Sequence, residues 1–322
     1  MRGRMWRALI MLSAVAMAQA VSATGTAQPV RQIGQPGGTG AYPAIAEARS
    51  DAVGTTLYRP ARLPKSPLPL VLWGNGGCRN NGLSASHFLR ELASHGYIVI
   101  ANGAPEKESP VLAALPLVIG PPAPQPGSPR VPVNRPADET SVSQMLAAID
   151  WATAASRRKG DSLYRQVDVT RVAALGHSCG GLQAISAGLD PRVDAVIAFN
   201  SGVYNRQGEG LSGVRITKPD LAKLHTPIAY FIGGPDDIAF PNAQDDVAQI
   251  AHVPVFMGNL PVGHGGTFGL ANGGDWGRAA TAWLNWQIKG DAKSARWFVG
   301  ADCILCTSFG WTITRKQFPE TP

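Results

Sequence analysis

The sequence is sparing with charge, with cysteine and with long apolar runs. Asp, Glu, Lys and Arg make up only 16% of its 322 residues while 44% are hydrophobic, which excludes a disordered chain, a collagen and a coiled coil. There is enough apolar material for a large core, and the length suits one large α/β domain or two small ones. Only four residues are cysteine, and Cys303-x-x-Cys306 has neither a second C-x-x-C nor a nearby His to complete a zinc site. No metal or organic cofactor is implied. Beyond the amino terminus no run approaches the about 20 apolar residues that a membrane helix needs, so no stable membrane insertion is expected. The basic excess is also thin. Arg2, Arg4 and Arg7 lie in the first twenty residues, which hold no acid, so 26 of the 29 basic residues face 22 acids and the +7 becomes +4. Spread over about three hundred residues, that surplus does not point to nucleic acid.

What is present at the amino terminus is a basic stretch, Met1 to Arg7, and then an apolar run from Ala8 to Ala18 broken only by Ser13. Small residues follow in Ala18-Gln19-Ala20 and Val21-Ser22-Ala23. This is the pattern of a secretory signal peptide over residues 1–20, with cleavage as late as 23, and it predicts a secreted or periplasmic protein. In an oxidising compartment an even number of cysteines reads as disulfides, and Cys303–Cys306 is expected to be a local one.

A Gly/Pro-rich lead from Thr24 to about Tyr42 reads as loosely ordered. Apolar runs bounded by turn residues then recur at Leu68 to Trp73, Tyr97 to Ala101, Arg171 to Leu175, Val193 to Phe199, Pro227 to Ile232 and Val253 to Met257. Continuous runs of this length suit strands buried on both faces of a parallel sheet. Helical spacing alternates with them. Ser86 to His95 aligns Phe88, Leu89 and Leu92 and stops at Gly96; Thr140 to Ser156 aligns Met145, Leu146, Ile149 and Trp151 behind a cap at Asp138 or Thr140. Gly274 to Lys289 carries Trp276, Ala280, Trp283, Leu284 and Ile288. The alternation predicts one α/β domain, residues 24–322, with a mostly parallel sheet flanked by helices. It is interrupted once. Pro105 to Pro136 holds ten prolines in thirty-two residues, so it is neither core helix nor central strand, and it reads as an insert beyond a strand's carboxyl end, where such sheets bind ligands.

Val172-Ala173-Ala174-Leu175 runs directly into Gly176-His177-Ser178-Cys179-Gly180-Gly181 and a helix-compatible stretch. This is G-x-S-x-G between strand and helix, a turn that lifts a serine hydroxyl above the sheet with a helix amino terminus behind it. Ser178 is therefore the candidate nucleophile. It needs a base, and the base needs an orienting acid. His264, in the loop Val262-Gly263-His264-Gly265-Gly266 after the last of these strands, is the candidate base; His87, His95, His177, His225 and His252 read as structural. The strand ending at Ile232 leads into Gly233-Gly234-Pro235-Asp236-Asp237, where Asp236 is the expected acid and Asp237 its rival. Asp245 and Asp246 read as charges on a helix surface. Asn200-Ser201-Gly202 offers no carboxylate. Oxyanion donors are expected from the N–H of Cys179 and from the loop Gly74-Asn75-Gly76-Gly77-Cys78. That puts Cys78 and Cys179 at one site and predicts a disulfide between them, with two free buried thiols as the alternative.

Several segments resemble the bacterial cutinase and polyester hydrolase family, related to the dienelactone-hydrolase-like α/β hydrolases. They are Gly54 to Tyr58, Phe88 to Ile100, the Gly176 to Gly181 motif, and Ala282-Trp283-Leu284 through Arg296-Trp297-Phe298. The resemblance implies an α/β-hydrolase fold and a serine carboxylic ester hydrolase with Ser178, Asp236 and His264 as triad, and Gly77 and Cys179 as oxyanion donors. The chain departs from that family in having Cys179 after the nucleophile in place of Met, Gly77 in place of an aromatic residue, and the Pro105 to Pro136 insert. The family's aromatic clamp has Tyr204 as its nearest counterpart, the candidate substrate-binding residue. These departures favour a small-molecule ester over a polymeric one; a polyester or cutin hydrolase is the rival, followed by an amidase or peptidase and by a non-catalytic extracellular binding protein on the same fold.

Overall fold

The computed structural model describes residues 30–115, 138–205 and 214–319. The expected export signal over 1–20 and most of the Pro-rich insert lie outside the described residues. Ten strands form one sheet: β1 (Val30–Gly37), β2 (Ala44–Arg49), β3 (Thr55–Pro60), β4 (Leu68–Gly74), β5 (Ile98–Asn102), β6 (Val167–His177), β7 (Ala195–Phe199), β8 (Ile228–Ile232), β9 (Val255–Asn259) and β10 (Thr312–Lys316). Their spatial order is β1-β2-β3-β5-β4-β6-β7-β8-β9-β10. The six strands read from the sequence are the parallel centre, from β5 to β9, and the remaining pairings at both margins are antiparallel.

The helices are α1 (Ser86–Ser94), α2 (Val142–Arg157), α3 (Cys179–Ala187), α4 (Phe240–Gln249), α5 (Gly274–Gln287) and two short turns, α6 (Ala292–Ala295) and α7 (Ile304–Thr307). They cover the sheet on both sides. Alternate residues of β7 show it: Val196 and Ala198 join a core with Met145, Ile149, Leu182 and Val247, whereas Ala195, Ile197 and Phe199 join one with Phe88, Leu92, Trp276 and Trp283. All five β7 residues are fully buried. Because side chains alternate across a strand, only a sheet covered on both faces can bury such a run entire.

Connectivity fixes where a site can form. From β4 the chain passes through α1 to β5 on one side; from the adjacent β6 it passes through α3 to β7 on the other. The carboxyl ends of β4 and β6 therefore flank a crevice from which the chain diverges, the place where open α/β sheets bind ligands.

Three expectations are corrected. The Gly/Pro-rich lead does not stay irregular to Tyr42: Val30–Gly37 is an edge strand on β2, because backbone pairing is indifferent to its polar side chains. Helix α2 is capped by Ser141, not Asp138 or Thr140, in a reciprocal capping box with Gln144. Asp246 is not a surface charge. It is fully buried in α4, where it accepts from the Val203 N–H at 2.8 Å and pairs with Lys218 at 2.6 Å. Among the described residues, no helix is long and apolar enough to cross a membrane.

Two-sided burial predicts equal sensitivity on both faces. Ile98→Val, facing α2 and α3, and Ile197→Val, facing α1 and α5, are each expected to cost about 0.5–1.5 kcal/mol. Urea unfolding measures this, and a loss on one face alone would contradict the two-layer covering.

Candidate active site

The nucleophile turn depends on backbones in near contact. A Cβ on Gly176 would lie 2.0 Å from the Gly180 carbonyl oxygen, and one on Gly180 would lie 2.1 Å from the Gly74 carbonyl. Only glycine lets the end of β6, the start of α3 and the end of β4 meet this closely. Between them Ser178 has φ of +53°, a left-handed conformation that costs a non-glycine residue about 1–3 kcal/mol. The turn is held by its neighbours: Ser178 N–H donates to the Phe199 carbonyl at 2.9 Å, and Ser201 Oγ donates to the Ser178 carbonyl at 2.8 Å.

Ser178 Oγ lies 3.0 Å from His264 Nε2. Across the ring, Nδ1–H donates to Asp237 Oδ1 at 2.7 Å. Asp236, the expected partner, is exposed and does not reach the imidazole; Asp237 is 2% exposed and does. The turn explains the exchange. Asp237 N–H donates to Gly234 C=O at 3.1 Å, which places Pro235 and Asp236 at the outward tip and returns Asp237 to the sheet. Burial by itself pushes the Asp237 carboxyl up. The bond from His264, with backbone donors at Ala239 (3.0 Å) and Gly233 (3.0 Å), outweighs it and holds the group below the ordinary carboxylate range.

Other residues that the sequence reading passed over complete the site. Asn200, fully buried with φ of +47°, donates to Asp237 Oδ2 at 2.7 Å. Asn75, also fully buried, organises the loop after β4: its Oδ1 accepts from Trp73 Nε1 and Ser84 Oγ, and its Nδ2 donates to the carbonyls of Arg79 and Asn102. The one signal available was position, since both follow a strand of the central sheet directly. His177 Nε2 donates to the His264 carbonyl at 2.7 Å, tying the His264 loop to the end of β6. Burial and the neighbouring His264 push the His177 imidazole down to about 4.

The cysteines pair as expected. Cys78 and Cys179 lie at disulfide distance with Cα atoms 5.2 Å apart, and so do Cys303 and Cys306. The first pair joins the loop of Gly77 (φ +63°) to the first residue of α3. Ser178, His264 and Cys179 open onto a pocket of about 310 Å³, solvent-open space included, with Leu182, Tyr204 and Ile238 as its apolar walls. Tyr204 thus lines the same pocket as Ser178. The described part of the Pro-rich insert is tied down elsewhere, since Leu112 N–H donates to Gly269 C=O at 2.7 Å and Glu108 pairs with Arg90, and none of its described residues lines the pocket. Among the described residues no group of His, Cys, Asp and Glu could hold a metal ion. Compared with models of known protein families and with curated proteins, the sequence matches none.

Two outcomes test this geometry. The unfolded His177 takes a proton near 6.5 and the folded one only near 4, so between these values the unfolded chain binds more protons and stability falls as pH is lowered. The loss should be on the order of 2 kcal/mol, and His177→Gln should flatten it in urea unfolding at pH 4.5 and 7; equal pH dependence of both proteins would contradict the assignment. Replacing Cys78 and Cys179 together by Ser should cost about 2–5 kcal/mol in the same measurement, and no loss would contradict a bridge that stabilises the fold.

Proposed function

We propose that the protein is a serine carboxylic ester hydrolase of the α/β-hydrolase fold, exported from the cytoplasm, that acts through an acyl-enzyme. The observation that carries the reading is the chain of contacts from Ser178 Oγ through both nitrogens of His264 to the buried Asp237. Each residue then has a role that its surroundings suit. As Ser178 Oγ attacks the ester carbonyl carbon, its proton passes to His264 Nε2. Asp237, kept ionised by its donors, holds the Nδ1–H tautomer and stabilises the imidazolium that forms. The carbonyl oxygen becomes an oxyanion at the amino terminus of α3, where the Cys179 N–H is the first of the helix and the Gly77 loop is tied alongside. His264 returns the proton to the departing alcohol. Water, deprotonated by the same ring, then attacks the acyl carbon, the bond to Ser178 Oγ breaks as His264 returns the proton to that oxygen, and the acid is released.

The pocket supports the substrate class. Its walls at Leu182, Tyr204 and Ile238 are apolar, and among the described residues His264 is the only lining residue with an ionisable acid or base group besides Tyr204. Uncharged esters fit such a lining better than charged ones, since a charge would lose its hydration without a partner.

Hydrolysis of a nitrophenyl ester series tests the reading. Ser178→Ala should lose at least about 10⁴-fold in kcat, and Asp237→Asn about 10⁴-fold. Asp236→Asn should stay within about twofold, as expected of an exposed carboxylate off the imidazole. Undiminished activity in Ser178→Ala would remove it from the mechanism, and no hydrolysis of any ester by the wild type would favour a binding protein. The chain-length profile separates small-ester from polyester use.

A further inference from the structure

Asn200 stands where three segments meet. Its Nδ2 donates to Asp237 Oδ2 at 2.7 Å and to the Gly263 carbonyl at 3.0 Å, and its Oδ1 accepts from Trp276 Nε1 at 3.2 Å. Its backbone N–H donates to Phe231 C=O at 2.7 Å, so the residue is itself anchored to β8. The acid turn and the base loop close around it. A Cβ on Gly233 would lie 2.7 Å from its Nδ2, and one on Gly266 would lie 3.0 Å from its Oδ1. Both N–H donors of the amide are thereby used, on the acid and on the residue before the base, and its oxygen accepts from a buried indole.

We propose that Asn200 is a positioning residue for the triad: one buried amide sets Asp237 and His264 relative to each other, and its neutrality leaves the carboxylate charge to the imidazole. Both halves follow from chemistry. Each of its two N–H groups reaches a different arm of the pair, so moving the amide moves both arms. A carboxylate in its place could not donate to either arm without first taking a proton. It would also sit beside Asp237, where two carboxyl groups titrate as a pair and one of them is raised. The ionisable groups that face the position are Asp237 on the β8–α4 turn, His264 on the β9–α5 loop, and His177 at the end of β6, with Arg79 acting on His177. Helix α5 presents the neutral indole of Trp276.

The test compares the wild type with Asn200→Asp, which keeps the shape, and with Trp276→Phe, which removes the donor to Oδ1 together with part of a fully buried ring. Near-ultraviolet circular dichroism and the thermal midpoint establish that each variant is folded. Kinetically the inference rests on the ester-hydrolase reading. Asn200→Asp should lose about 10²-fold in kcat with KM nearly unchanged, and the acid limb of its pH profile should move up by at least about one unit. Trp276→Phe should lose less, in the same direction. A folded variant with wild-type kcat and pH profile would overturn the inference while leaving the esterase reading intact. Independently of any substrate, the ¹⁵N shifts of the His264 ring should show the Nδ1–H tautomer in the wild type and a mixture in Asn200→Asp. If the wild type hydrolyses no ester, the functional reading fails alone, and unmoved His264 shifts in Asn200→Asp would then overturn the positioning role as well.

Discussion

Taking the Asp237 carboxylate out of water is the constraint around which the candidate site is arranged. An unpaired buried carboxylate would take up a proton, so its charge survives only where donors converge on both oxygens. Here four donors come from three segments: the β9–α5 loop through His264, the end of β7 through Asn200, and the turn's own N–H groups at Gly233 and Ala239. Each of those segments is thereby fixed to the others. The same contacts that stabilise the charge also aim the imidazole at Ser178.

A second constraint acts on the other side of the serine. The ends of β4 and β6 and the start of α3 touch through backbone atoms, which is possible because Gly74, Gly176 and Gly180 carry no Cβ. The Cys78–Cys179 pair then locks the loop after β4 to the helix. Strain at Ser178 is tolerated because the turn is held from both sides, by the Phe199 carbonyl and by Ser201. The proposed chemistry needs this stiffness, since preorganised donors cost no rearrangement as charge develops.

The parallel centre of the sheet was legible because six apolar runs, each too continuous for a half-wet strand, can be buried only between two helix layers. Helices α1 and α5 were legible from the spacing of their aromatic and leucine residues. The margins were not. β1 carries Arg31, Gln32 and Gln35, and its residues pair through backbone groups that leave no trace in side-chain pattern. Asp246 looked like a surface charge because a helix's polar residues usually face water; its burial depends on Lys218 and the Val203 N–H, which arrive from elsewhere in the chain.

Ser178 and His264 could be singled out by the sequence alone, because a G-x-S-x-G turn needs glycines in a set spacing between strand and helix and the loop of His264 carries its own glycines. The two cysteine pairs were readable for a related reason: one is local, and the other is placed by the motif it adjoins. Choosing Asp237 over Asp236 was beyond the sequence. Adjacent aspartates on one turn have the same composition and nearly the same position, and only the path of the turn decides which faces solvent. Asn200 was further still from view. Its amide has no chemistry of its own to mark it, and its role exists only where the ends of β7, β8 and β9 are brought side by side by the sheet.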